Sequence, residues 1–338
     1  MTDPSVPAPS SPAPPGAGKL QRVLAAIGPF FGLLFVLGLF SLSAEVRPFL
    51  FTGANFKIIL IQTVIVAIGA LGMTLIIVGG GIDLSVGSVV ALTSVLGATL
   101  LLKGASPAVV VMAGVAAGAG IGLINGSIIA GFGMMPFIVT LGMMGVVRGL
   151  AKWLANNQTV NPPPGSPVNA LMARQAPTEL FPLPPGVWIA LALAILVAIV
   201  MNRTVFGRHL FAIGSNEATA RLCGVRVKRH KVLTYSLAGA FFGLAGIMQL
   251  SRLTQGDPTV AIGLELDIIA AVVIGGASLS GGTGSILGSL IGALIMAVLR
   301  NGSNQMGWQT YTQEIIIGVV IVLAVGLDRW RHRKQAAS

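Results

Sequence analysis

Charge is scarce in this sequence. Only 9% of its 338 residues are charged, and ten of them are acids. Soluble domains carry about a quarter charged residues, so this chain lacks the surface that water requires. The single cysteine, Cys223, excludes an internal disulfide and any cysteine-based metal site. His209, His230 and His332 stand beside basic residues in loops and read as solvated side chains, not as a ligand set. No GxxxxGK[ST] loop occurs; "GAGK" at 16–19 lacks both the spacing and a preceding strand. HExxH and GxSxG patterns are missing too. With no catalytic constellation, the chain reads as a non-enzyme with no cofactor and no metal of its own.

What is abundant is apolar. Hydrophobic residues make up 54% of the chain, and 45 glycines accompany them. About 20 helical residues cross a bilayer core, and small residues let membrane helices approach closely. The expected fold is therefore all-α, a polytopic membrane protein of about ten spans at 23–43, 58–78, 84–102, 107–131, 135–155, 186–202, 231–250, 266–280, 284–300 and 313–328. Residues 1–18, rich in proline and serine, read as a disordered cytoplasmic tail. Residues 19–328 form the transmembrane domain, and 329–338 are a basic cytoplasmic tail.

The net charge of +11 would suggest nucleic acid in a soluble protein, but here basic residues mark cytoplasmic loops. Thirteen of the 21 Lys and Arg residues fall in the N-terminal flank, the 203–231 loop and the C-terminal tail. That places both termini inside, with the proline-rich 156–185 loop outside. No nucleic-acid partner is expected; anionic membrane lipid at the basic loop is.

Two stretches break the apolar pattern. In "GGGIDLSVGS", 79–88, Gly79, Gly80 and Gly81 end one helix, and Asp83 or Ser85 caps the next. A carboxylate at mid-bilayer costs about 2.5–3.5 kcal/mol, so its place needs a reason, and broken backbone must line protein or a watery cavity. A weaker copy, "IGGASLSGGTGSILGSLIGA", lies at 274–293. The second stretch, "RHLFAIGSNEATARLCGVRVKRHK" at 208–231, is too long for a tight connection. Residues 215–223 read as a short helix with Ser215 or Asn216 as cap, Glu217 in the first turn and Gly224 as stop.

"NEATARLCGV" resembles the coupling motif of ABC-importer permeases. With "GGIDLSVGSVVALT" at 80–93, "FIVTLGMMGVVRG" at 137–149 and "ELDIIAAVVIGGASLSGGTGSILGSLIGALI" at 265–295, it resembles the ribose-type (ribose, xylose, arabinose) monosaccharide permeases. Against their near-signature GRxxxAxGxNExAxRLxGI, "GRHLFAIGSNEATARLCGV" at 207–225 departs at Thr219 and, conservatively, at Val225. The likeness covers nearly the whole chain after residue 20. It implies a type II-importer-like homodimer of ten-span subunits in the bacterial inner membrane, around one central pathway. It also implies a periplasmic sugar-binding protein outside and a separate ABC ATPase inside. By position, Ser215, Asn216, Glu217, Ala218, Thr219, Ala220, Arg221, Leu222 and Gly224 would meet that ATPase.

By analogy with related importers, spans 5 and 10 would offer Phe137, Thr140, Met144, Thr312 and Gln313 to a neutral solute. For each of them ordinary helix packing is the competing reading. Asp267 and Glu314 read as first-turn acids of their helices, Asn301 and Asn304 as loop residues, and Arg148 and Lys152 as snorkelling cations. Three rivals remain: an ion-coupled secondary transporter built on Asp83, a non-transporting scaffold, and an ABC permease for nucleosides or branched-chain amino acids.

Overall fold

The computed structural model describes residues 17–173 and 183–319, with 322 and 326. The tail up to residue 16, Arg174 and Glu179 of the 156–185 loop, and the basic tail 329–338 lie outside the described residues. Helices supply all the regular structure among the described residues, apart from one isolated bridge between Val160 and Gly256. In chain order they are α1 Ala17–Ser41, α2 Arg47–Leu50, α3 Gly53–Val78, α4 Val86–Leu102, α5 Pro107–Phe132 and α6 Pro136–Leu154. A 3-10 turn at Pro167–Met172 follows. Then come α7 Pro185–Arg203, α8 Val205–Ser215, α9 Glu217–Leu222, α10 Val227–Leu253, α11 Leu264–Ile274 and α12 Ile286–Gln305. Helical residues 310–319 form α13.

Six of these, α3, α5, α6, α7, α10 and α12, are long and apolar enough to cross a membrane. Gly28–Ser41 and α4 are shorter apolar helices. The span expected over 266–280 stops at Ile274, because Gly275 and Gly276 turn the chain. The span expected over 284–300 instead runs on to Gln305, so Asn301 and Asn304 sit on a helix and not in a loop.

α3 is apolar all round and almost wholly buried beyond Val64, which makes it the axis of the molecule. α10, α11, α12 and α7 pack around it. On α5, Gly114, Gly118, Gly122 and Gly126 recur every fourth residue and form one bare stripe. That stripe lies directly on α10: a side chain at Gly118, Gly122 or Gly126 would overlap main-chain atoms of Gly239, Gly243, Tyr235 or Val232, and one at Gly114 would meet the Ile247 side chain. Helix starts follow local chemistry. Thr52, Ser106 and Ser285 each accept a first-turn N–H, and Pro107 opens α5 where its missing N–H costs nothing.

Candidate functional site

The site is built around two helix breaks. α3 ends with Gly79 as its cap and Gly80 at φ 79°, a left-handed conformation that glycine adopts without strain. The Gly80 N–H donates to Ile77 O at 2.9 Å and the Gly81 N–H to Ile76 O at 2.9 Å, closing a Schellman motif. α11 ends in the same way: Gly276, at φ 92°, donates to Val273 O at 2.9 Å and Ala277 to Val272 O at 3.1 Å. The resemblance between 78–98 and 274–293 thus corresponds to one shared turn, made twice.

Both breaks meet the end of α8. The Gly282 N–H donates to Val78 O at 2.9 Å, tying the second break to the first. Gly214, in the last turn of α8, lies against the backbones of Val78 and Gly282 with no room for a methyl group. A β-carbon on Gly281 would lie 2.7 Å from Gly214 O and 2.9 Å from Gly80 Cα. Three chain segments therefore touch through bare backbone.

Asp83, 1% exposed, organises the first break. Its Oδ1 accepts the Ser85 N–H at 2.7 Å and the Ser85 hydroxyl at 2.6 Å. Asn125 Nδ2 of α5 donates to Asp83 Oδ2 at 3.3 Å and to Ser85 Oγ at 3.2 Å. Ser85 stands at the N-cap of α4 but makes no capping bond from its side chain. The carboxylate closes a turn just ahead of the helix and does not cap its first turn, because Ser85 takes a helical conformation and its N–H points back to Asp83. From α6, Thr140 Oγ1 accepts the Leu84 N–H at 3.1 Å, and from α10 the Tyr235 hydroxyl donates to Ile82 O at 3.4 Å.

On the far side of this junction, α9 carries the motif read at 215–224. Asn216 Oδ1 accepts the Thr219 N–H at 2.9 Å, and Gly224, at φ 83°, ends the helix. Glu217 bonds Lys231 at 2.7 Å and Arg221 at 2.8 Å. The Lys231 bond is the main reason its carboxyl lies below the usual glutamate range, with the Arg221 charge adding to it. Ala220 is buried against Ile213 and Val227, while Ala218, Thr219, Arg221 and Leu222 face outward, Leu222 at 89% exposure. Nearby, His209 Nδ1 and His230 Nε2 lie 3.1 Å apart.

At the opposite end of the bundle lies a cavity of about 310 Å³. Its polar lining comes from Gln62 of α3, Gln249 and Arg252 of α10, Asp267 of α11, Arg300 and Asn304 of α12, and Thr310 and Gln313 of α13. Asp267, expected as a plain first-turn acid, is 2% exposed and forms an ion pair with Arg300. Gln313 donates to Asn304 Oδ1 at 2.8 Å. Asn301, one turn from the cavity, accepts from Gln305 at 2.9 Å, and Gln305 also donates to Asn55 at 2.7 Å.

The five pathway candidates do not come together. Gln313 lines the cavity, and Thr312 beside it is half-buried. Phe137 is exposed on α6, Met144 half-buried on it, and Thr140 fully buried against the first break; none of the three lines the cavity. Arg148 does not snorkel: its Nη1 donates to the carbonyls of Pro258 at 2.9 Å and Val260 at 2.7 Å. Gln62, Asn125, Gln249 and Arg300 were missed in the sequence. Gln62, Asn125 and Gln249 interrupt apolar runs, the signal that singled out Asp83, whereas Arg300 opens the polar end of its helix.

Residues 55–325 match the family described as branched-chain amino acid transport system, permease component. The chain belongs to this permease family. It is 42% identical to the ribose import permease protein of Escherichia coli strain K12, over 90% of this chain and 93% of that one. It is 41% identical to the ribose import permease protein of Bacillus subtilis strain 168, over 91% and 94%. The L-arabinose ABC transporter permease protein of Azospirillum brasilense is 34% identical, over 99% and 96%. No solved structure matches the chain.

Proposed function

We propose that this chain is the membrane-spanning permease subunit of a binding-protein-dependent ABC importer, translocating a neutral monosaccharide or polyol by alternating access. The observation that carries the sugar reading is the 42% identity to a ribose import permease across nine-tenths of the chain. ATP hydrolysis belongs to a separate partner chain, and a binding protein delivers the solute at the opposite end. The permease pairs with a second copy in the bacterial inner membrane, with ten spans and both termini inside. The α9 face, with Leu222 and Arg221 outward and Glu217 held from within, is the docking surface for the ATPase. α8, which joins α9 at Asn216, touches both breaks through Gly214 and gives partner motion a rigid route into α3 and α11.

Ion coupling finds less support. Asp83 is held by Ser85 and Asn125, and Asp267 is paired with Arg300, so neither buried acid waits for a proton or sodium ion. Deleting the gene from its host and measuring uptake of labelled ribose, arabinose and leucine tests the reading. High-affinity uptake of a sugar is expected to vanish and to return with the plasmid-borne chain. Intact sugar uptake with lost leucine uptake would contradict it.

A further inference from the structure

The cavity opposite α8 and α9 has features of a binding site. Its volume, about 310 Å³, lies at the lower end of small-molecule pockets, the size suited to a ligand of monosaccharide dimensions. Buried polar side chains are normally paired, yet Gln249 is 9% exposed and makes no hydrogen bond among the described residues. Gln62 Oε1, on the neighbouring wall, is also buried without a partner among the described residues. Both hydrogen bonds from Arg300 go to Oδ2 of Asp267, which leaves Oδ1 without one among the described residues.

These vacant positions set the ligand chemistry. Carboxamides and a carboxylate oxygen together offer donors and acceptors, which suits adjacent hydroxyl groups that both donate and accept. Asp267 and Arg300 pair with each other, and Arg252 adds one further guanidinium to the wall, a group whose N–H donors also suit hydroxyl oxygens. Ile65, Val66 and Leu264 add an apolar side for the carbon face of a sugar ring. α11, which contributes Asp267, ends at the second glycine break, so the wall of the cavity and the end of α8 are joined by one short helix.

Resting on the importer reading above, we propose that this cavity is a polyol-binding subsite within the permease itself, in which Gln249, Asp267 Oδ1 and Gln313 contact hydroxyl groups of the passing sugar. Specificity is then set twice, first by the binding protein and again here.

The test uses the intact complex with its ATPase and binding protein in proteoliposomes. Cys223→Ser removes the exposed native thiol, and Thr310→Cys places a thiol at the rim of the cavity. The rate of maleimide labelling is measured against D-ribose, L-arabinose and L-leucine. A sugar whose uptake depends on this chain is expected to slow labelling, and leucine is not. Adding Gln249→Met, or separately Gln313→Met, should raise the half-protecting concentration by about tenfold, the weight of one hydrogen bond to a buried polar group. A transported sugar that leaves the rate unchanged overturns the subsite while sparing the importer reading. Protection by leucine, with leucine uptake lost in the deletion strain, overturns the importer reading instead.

Discussion

Gly214→Ala is expected to abolish sugar uptake, whereas Gly120→Ala leaves it intact. Both glycines are helical, so intrinsic propensity favours alanine at each by about 1 kcal/mol. The surroundings decide the sign. Nothing approaches within 4 Å of a methyl group at Gly120, whereas at Gly214 it meets the backbones of Val78 and Gly282. Those atoms belong to the two breaks, and the Gly282–Val78 hydrogen bond prevents either from yielding alone. Overpacking of this kind costs about 1–3 kcal/mol, and here it pushes α8 away from both α3 and α11. Uptake in proteoliposomes, with the melting temperature of the purified complex, checks it. Equal uptake and equal melting temperatures for the two variants would show that the junction is loose.

Asp83→Ala is expected to cost the chain its stability, and Asp83→Asn to retain most of it. Alanine leaves the Ser85 N–H and the Asn125 amide buried without their acceptor, at about 1–3 kcal/mol for each group. Asparagine still accepts from Ser85 through Oδ1. Its new N–H₂ meets Asn125 once that amide turns over, since Asn125 Oδ1 has no partner among the described residues. Expression, melting temperature and uptake should therefore fall together in the alanine variant and stay near wild type in the asparagine variant. Lost uptake in Asp83→Asn, with normal expression and melting temperature, would mean that the carboxylate itself takes part in transport and would revive ion coupling.

Legibility in the sequence followed locality. The breaks were readable because three consecutive glycines before an aspartate leave a helix no way to continue. The short helix at 217–222 was readable because Asn216, Glu217 and Gly224 are start and stop signals within a few residues of one another. The partners of those residues were not readable. That Asn125, Thr140 and Tyr235, from three other helices, converge on residues 82–85 depends on tertiary packing, which apolar periodicity does not encode. The cavity was hidden for the same reason. Asp267 and Arg300 lie 33 positions apart, and each has an adequate local explanation. Length was also a poor guide near glycine: α11 stops short at Ile274, while α12 continues through three polar residues to Gln305, whose amide donates to Asn301 and to Asn55 of α3.

The central claim is that α9 presents this chain to a separate ATPase. The most direct measurement is affinity purification of the tagged chain from native membranes, wild type against a Glu217→Arg, Arg221→Glu double variant, with partners identified by mass spectrometry. The exchange keeps an ion pair within α9 but breaks the Glu217–Lys231 bond to α10. The melting temperature of the purified variant is therefore measured beside the pull-down, and an unchanged value shows that the fold survives while the charge pattern inverts. An ATP-binding subunit recovered with wild type and lost with the variant is the predicted result. A wild-type chain that brings down no ATP-binding subunit, under conditions that preserve other ABC complexes of the same membranes, would contradict the account.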